Sequence, residues 1–293
     1  MRKIDRKLSN AVEQDKFRGV RKCHEDNINA KDNKEFYTPL HNAARNGDLE
    51  VIKYCVSKDN DVVNSCSCGY TPLHVAAMYG HLEAVKSLIC KGANMHVRNV
   101  ISGDQPIQNA TVGGHKNIVG FFLNKEGISI NDADNGGRTL LHLAAMYGHL
   151  ETIKFLVGKG ANIHAKSNFN YKPIHHAITN GCENIVEFFI DIGVSINDAD
   201  RDGWTLLHLA ADCGQLEIVR LLTDKGANIY AKDNNGLIPS DLARGRGYME
   251  VVNILGGTKK KGRLLETTSD NPELYLSGVT VKKQPMRTRV PGN

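Results

Sequence analysis

The chain has no apolar run near the roughly 20 residues that cross a bilayer; its longest tracts resemble Ile118–Leu123. It also lacks a signal-type apolar segment over its first 20 residues, so export by the general secretory route is not expected. Charge of one sign is missing from most of it. Residues 1–255 carry 29 basic and 29 acidic side chains, which speaks against a body that coats nucleic acid. Cysteines number seven, an odd count, and only Cys66 and Cys68 lie close, with no second pair at zinc-finger spacing. Free thiols in a reducing compartment are therefore expected, with no metal site. No H-E-x-x-H, P-loop, G-x-S-x-G or kinase set occurs, so no catalytic residue, cofactor or small-molecule substrate is expected.

What is present is a core-forming composition, 41% hydrophobic and 24% charged, organised by a repeat. T-P-L-H begins at Thr38 and again at Thr71; Q-P-I-Q follows at Gln105, T-L-L-H at Thr139, K-P-I-H at Lys172 and T-L-L-H at Thr205. A decayed I-P-S-D begins at Ile238, and the successive offsets are 33, 34, 34, 33, 33 and 33 residues. Each start leads to A-A or a variant, a glycine, and an apolar–Glu–x–apolar–apolar pattern; most units close on G-A-N, as at Gly92, Gly160 and Gly226. A period in this range marks stacked supersecondary units. Alternate units are more alike than adjacent ones: H-V-A-A-M-Y-G-H-L-E from His74 returns as H-L-A-A-M-Y-G-H-L-E from His142, which points to copying of a two-unit block.

The physics of one unit fits a pair of short helices. Threonine suits an N-cap, its hydroxyl accepting from a free backbone N–H, and proline suits the next position. Apolar residues three and four apart give each helix one buried stripe. Glycines such as Gly80 and Gly214 suit the left-handed C-terminus of the first helix. Neither helix buries its face alone, so the units must stack.

These residues make the chain similar to the ankyrin-repeat family. The resemblance covers residues 35–255 and extends more weakly back to about Leu8, where Ile28-Asn29-Ala30-Lys31-Asp32 copies a repeat ending. It implies an all-α ankyrin-repeat solenoid of stacked helix pairs with β-hairpin-like fingers. Residues 1–34 would be a degenerate N-terminal capping repeat and 35–255 about seven repeats, the last a C-terminal cap. Residues 256–293 would be a basic, disordered tail holding a net charge of +5. In style the units look like ankyrin effectors of host-associated intracellular bacteria and like latrotoxin arrays.

The resemblance also assigns roles. Thr38, Thr71, Thr139 and Thr205 with His41, His74, His142, His175 and His208 are structural, the histidines aligning adjacent units through backbone hydrogen bonds. His81, His115 and His149 fall at the inter-helix turn. The adjacent rings of His175 and His176 point to different faces and would not share an ion. The aspartates of N-D-A-D at 131–134 and 197–200 read as turn residues bonded to their own backbone rather than as a calcium loop.

Family members bind through finger tips and concave first helices. Carried over by position, the finger residues are Tyr37, Tyr70, Asp104, Arg138, Tyr171, Trp204 and Leu237. The concave pairs are Arg45 and Asn46, Met78 and Tyr79, Val112 and Gly113, Met146 and Tyr147, Thr179 and Asn180, and Asp212 and Cys213. From these, a partner-binding face of Tyr37, Arg45, Asn46, Tyr70, Met78, Tyr79, Arg138, Met146, Tyr147, Tyr171, Trp204 and Asp212 is expected, Tyr and Trp being favoured interface anchors. The competing reading of the finger aromatics is that each ring braces its own hairpin. The third unit departs most: Gln105 replaces the Thr cap, Gln108 the aligning His, and Val100 and Ile101 put apolar groups near a finger tip.

The expected function is a non-enzymatic protein–protein interaction module, a scaffold or adaptor and a candidate effector on host proteins. The chain would act as a cytoplasmic monomer, in the host cytoplasm for a bacterial effector. The alternatives are a targeting subunit or fragment of a larger enzyme or toxin, and binding of nucleic acid or acidic lipid through the tail. Lys259–Arg263 would then also serve nuclear entry.

Overall fold

The computed structural model describes residues 38–256; Tyr37, the expected N-terminal cap and the tail with Lys259–Arg263 lie outside them. The described residues form seven helix pairs. They are α1 (Pro39–Asn46) with α2 (Leu49–Lys58), α3 (Pro72–Met78) with α4 (Leu82–Cys90), and α5 (Pro106–Val112) with α6 (Lys116–Leu123). Then come α7 (Leu140–Met146) with α8 (Leu150–Gly158), α9 (Pro173–Thr179) with α10 (Glu183–Asp191), α11 (Leu206–Asp212) with α12 (Leu216–Asp224), and α13 (Pro239–Arg246) with α14 (Met249–Ile254). A 3-10 turn, Asn60–Asn64, follows α2.

Helices of six to ten residues are too short to persist alone in water, so their stability comes from stacking. First helices pack on first helices along the whole array, and each unit touches mainly its neighbours. The contact face of the first helices is small and apolar, as in Leu73, Ala76 and Ala77 or Leu140, Ala144 and Ala145, all buried. Second helices bury the i, i+1, i+4 sets Ile118, Val119 and Phe122, or Ile185, Val186 and Phe189. The buried residues form one continuous core. This is an all-α solenoid, and its fingers are tight turns; among the described residues only two isolated bridges occur, Ser67 with Tyr70 and Ala133 with Thr139.

The helix starts differ in detail from the expectation. The hydroxyl of Thr205 accepts from the His208 amide at a long 3.4 Å. The shorter bonds run to the histidine ring. His74 Nδ1 accepts from the Thr71 backbone N–H at 3.1 Å and lies 2.9 Å from the Thr71 hydroxyl, and His142 repeats this with Thr139. The ring is the better acceptor because it reaches both groups at once. With Nδ1 accepting, Nε2 carries the proton and donates across to the next unit. His41 donates to the Tyr70 carbonyl at 3.0 Å, His74 to Asp104 at 3.0 Å, His142 to Tyr171 at 2.9 Å and His208 to Leu237 at 3.2 Å. His175 Nδ1 accepts from Lys172 N–H at 3.0 Å.

A second histidine row points the other way. His81, His115 and His149 donate from Nε2 to the carbonyls of Arg45, Met78 and Val112, at 2.8, 3.0 and 2.8 Å. Gly80 must be glycine twice over: its φ is +85°, and a Cβ there would enter the His115 ring. The two-unit copying also has a structural mark. The side-chain oxygens of Asn64, Asn131 and Asn197 accept from the amides of Asn94, Asn162 and Asn228, tying units together in pairs. That tie went unread in the sequence, although the alternation of V-V-N or S-I-N with G-A-N carried its signal.

Candidate partner-binding face

The face to be judged runs along the ends of the first helices and the bases of the fingers. Finger geometry follows from single carboxylates. Asp134 Oδ1 accepts from the amides of Gly136 and Arg138, both at 2.8 Å, and Asp200 Oδ1 from those of Asp202 and Trp204, both at 2.9 Å. The aspartates thus close turns as Asx motifs do. No group of three or more potential metal-ligating side chains occurs among the described residues.

The finger-base aromatics are half-buried and lean on histidines. The Tyr70 ring meets His74 edge-on at 5.9 Å, Tyr171 meets His175 at 5.6 Å and His176 at 5.9 Å, and Trp204 stacks over His208 at 6.4 Å. These rings shield the histidine at the start of their helix. At the first-helix ends the pattern is different. Tyr79 is 42% exposed and Tyr147 39%. The Arg45 guanidinium lies over the Tyr79 ring at 5.1 Å, so those two residues form one surface feature. Tyr147 stacks on His149 at 6.4 Å. Asn46 is exposed and Met78 half-buried, whereas Met146, offered for the same face, is covered and only 8% exposed.

The charged members of the expected face are engaged within the chain. Arg138 Nε donates to Asp134 Oδ2 at 2.6 Å. Asp212 accepts a two-pronged bond from Arg246 of the last unit, at 2.8 and 3.2 Å. The face is therefore largely uncharged, with exposed tyrosines on repeated positions and paired charges around them.

The third unit keeps half of the histidine device. Gln108 Oε1 accepts from the Gln105 N–H at 2.6 Å, copying the ring's local bond. Gln108 Nε2 is buried without a partner, as are Gln105 Oε1, Asn109 Oδ1, Asp104 Oδ1 and Asn99 Nδ2. These are five of the nine such atoms among the described residues. Burial is the main influence on Asp104 and raises its carboxyl above the ordinary range.

Burial also favours the neutral form of His74, His175 and His176. It pushes His74 and His175 down to about 4 and His176 to about 3, with His41 opposing charge on His74, Lys172 on His175 and His142 on His176. His176 packs on His142 of the preceding unit at 5.8 Å. The sequence placed it only as the neighbour of His175. No disulfide joins any two of the six cysteines among the described residues, and no helix there is long and apolar enough to cross a membrane.

Comparison with known proteins agrees with this geometry. The family profile for ankyrin repeats, in three copies, matches residues 8–99, 84–167 and 159–233. Alpha-latroinsectotoxin-Lt1a of Latrodectus tredecimguttatus is 37% identical over 73 residues, 25% of this chain and 5% of the toxin. Alpha-latrocrustotoxin-Lt1a of the same species is 34% identical over 119 residues, 40% of this chain and 8% of the toxin. The E3 ubiquitin-protein ligase XBAT32 of Arabidopsis thaliana is 28% identical over 152 residues, 43% of this chain and 30% of the ligase. The chain thus spans less than a third of the length of each of these relatives.

Proposed function

The chain belongs to the ankyrin-repeat family, whose repeats are protein–protein interaction modules, and from that premise we propose that it is a non-enzymatic scaffold holding one or more partner proteins on its first-helix face. The supporting observation is the pair Tyr79 and Tyr147, exposed aromatics on equivalent positions two units apart. Such rings bury much area at small entropic cost. An interface of on the order of 1,600 Å² lies within reach of four or five stacked units. On this reading the chain works as a monomer in the cytoplasm, with an effector role on host proteins as its setting.

A second reading rests on a specific finding. The matched stretches occupy 5%, 8% and 30% of relatives that are much longer than this chain. The array then positions an enzymatic or toxin part carried elsewhere, and function requires that part. The test is a crosslinked pull-down from eukaryotic lysate, comparing the native chain with Tyr79→Ala/Tyr147→Ala, both verified as folded by circular dichroism. Capture by the native chain alone supports the face; equal capture by both sinks it.

A further inference from the structure

The junction of the fifth and sixth units is open on its finger side. His41, His74, His142 and His208 each donate from Nε2 to the next finger. His175 does not: its Nδ1 accepts from the Lys172 N–H, and its Nε2–H has no partner among the described residues. The finger in front of it stands off. The residue that opens each finger is buried at Ser67, Asn99, Asp134, Ser167 and Asp233, yet Asp200 is exposed. The tip is untied as well. Asn135, Asn168 and Asn234 each bond the preceding finger through backbone amide and side chain, at 2.8 to 3.3 Å. Arg201 holds that position here and makes neither bond among the described residues.

The opposite side of the same junction is closed. Gln215 Nε2 donates to the Thr179 carbonyl at 3.2 Å, the Asn228 amide to Asn197 Oδ1 at 2.8 Å and Lys225 Nζ to Asp191 at 2.7 Å. The two units are joined along their second helices and connections and part at the fingers, leaving a recess of about 40 Å³. That is room for about three water molecules, or for one carboxylate group. His175, Lys166, Lys172 and Ser195 bring donors to its lining, and Asp198 and Asp200 bring carboxylates. Those carboxylates leave the donors largely unanswered. Asp200 Oδ1 is taken by the amides of Asp202 and Trp204, and the Asp198 side chain is 62% exposed, 3.9 Å from Lys172 Nζ. Lys166 makes no ion pair among the described residues.

We propose that this recess receives the carboxylate of an aspartate or glutamate side chain on a partner protein, with the His175 Nε2–H donating to it and Lys166 and Lys172 supplying the opposite charge. An N–H held away from water without an acceptor is costly, and a carboxylate oxygen answers it with a charge-assisted bond. The sister histidines spend the same N–H on a carbonyl of their own chain; here the lifted finger leaves it for an outside oxygen. This deepens the binding reading above by naming the chemistry of the partner, and it is tested without any partner in hand.

The probe is N-acetyl-aspartate amide, titrated into the full chain and followed by NMR at the His175 ring and the Ser195 amide, with the neutral N-acetyl-asparagine amide as control. Saturable shifts are expected with the aspartate probe, and binding about fivefold or more weaker with the asparagine one. Lys166→Gln and Lys172→Gln should each weaken the response about two- to fivefold, and Asp198→Asn, which frees Lys172, should strengthen it by a similar factor. Arg201→Asn should tie the finger down, raise the melting temperature and abolish the response. Equal shifts from both probes, no saturation, an undiminished response in the folded double variant Lys166→Gln/Lys172→Gln, or binding weakened by Asp198→Asn would overturn the proposal. A partner captured in the pull-down and retained by that double variant would refute the recess alone and leave the scaffold reading standing.

Discussion

The second and fourth units carry nearly the same ten residues from His74 and His142, and each seals its junction with one histidine that bonds its own helix start and the next finger. Between them the third unit meets the same neighbours with Gln105 and Gln108. It makes the local bond and leaves the outward-facing amide nitrogen buried and unpaired. The contrast separates two jobs that the histidine combines. Capping needs only one acceptor at the right height, which glutamine supplies. Alignment needs a rigid ring whose second nitrogen projects across the junction. Stacking survives without it because other ties remain, including His149 to the Val112 carbonyl and the Asn135 amide to Ser102.

The largest test of that contrast is acid. Burial lowers His74, His175 and His176 in the folded state below the unfolded value of about 6.5. The unfolded chain therefore binds more protons between that value and about 4, and stability is lost as pH falls through this window. A loss on the order of several kcal/mol is expected, since each pKa unit is worth about 1.4 kcal/mol. Urea midpoints at pH 7.5, 6, 5 and 4 check it. A flat profile would mean that these rings are not held neutral.

Next in size is removal of a complete histidine. His74→Ala should cost about 3 kcal/mol, because it strips three buried hydrogen-bonding groups of their partner and opens a cavity. Gln108→Ala should cost about 1 kcal/mol, since only one bond is lost there. Equal penalties in urea denaturation would erase the distinction between the units.

The converse repair sharpens the comparison. Gln105→Thr with Gln108→His should raise stability by about 1 to 2 kcal/mol by recreating the ring's bond to the next finger at the Arg138 carbonyl. A double variant no more stable than the native chain would show that the unpaired amides cost nothing, as they would if ordered water bridges them.

The smallest effect concerns the face. Tyr79→Ala should change stability by about 0.5 kcal/mol or less, being a surface substitution. Trp204→Ala should cost about 1 to 2 kcal/mol, because that ring covers His208. Melting temperatures that reverse this order would make Trp204 the exposed anchor and Tyr79 the brace.

Much of this was legible in the residues. The period, the helix pairs and the left-handed glycines such as Gly80 and Gly214 follow from properties that recur from unit to unit, while the roles of His41, His74, His142 and His208 came from the family resemblance. A helix cap, a turn or an apolar stripe is decided within about ten residues, and repetition multiplies its signal. The family resemblance assigned the same binding positions to every unit, however, and could not rank them. Stacking ranked them: Arg45 went onto Tyr79, Asp212 onto Arg246, Met146 beneath the surface, and Tyr70, Tyr171 and Trp204 onto histidines. The cross-unit contacts join side chains some 34 positions apart, as for Arg45 with Tyr79 and Asp212 with Arg246. A local pattern states what occupies each place in a unit, and only the packed array decides which neighbour it meets and what remains for a partner.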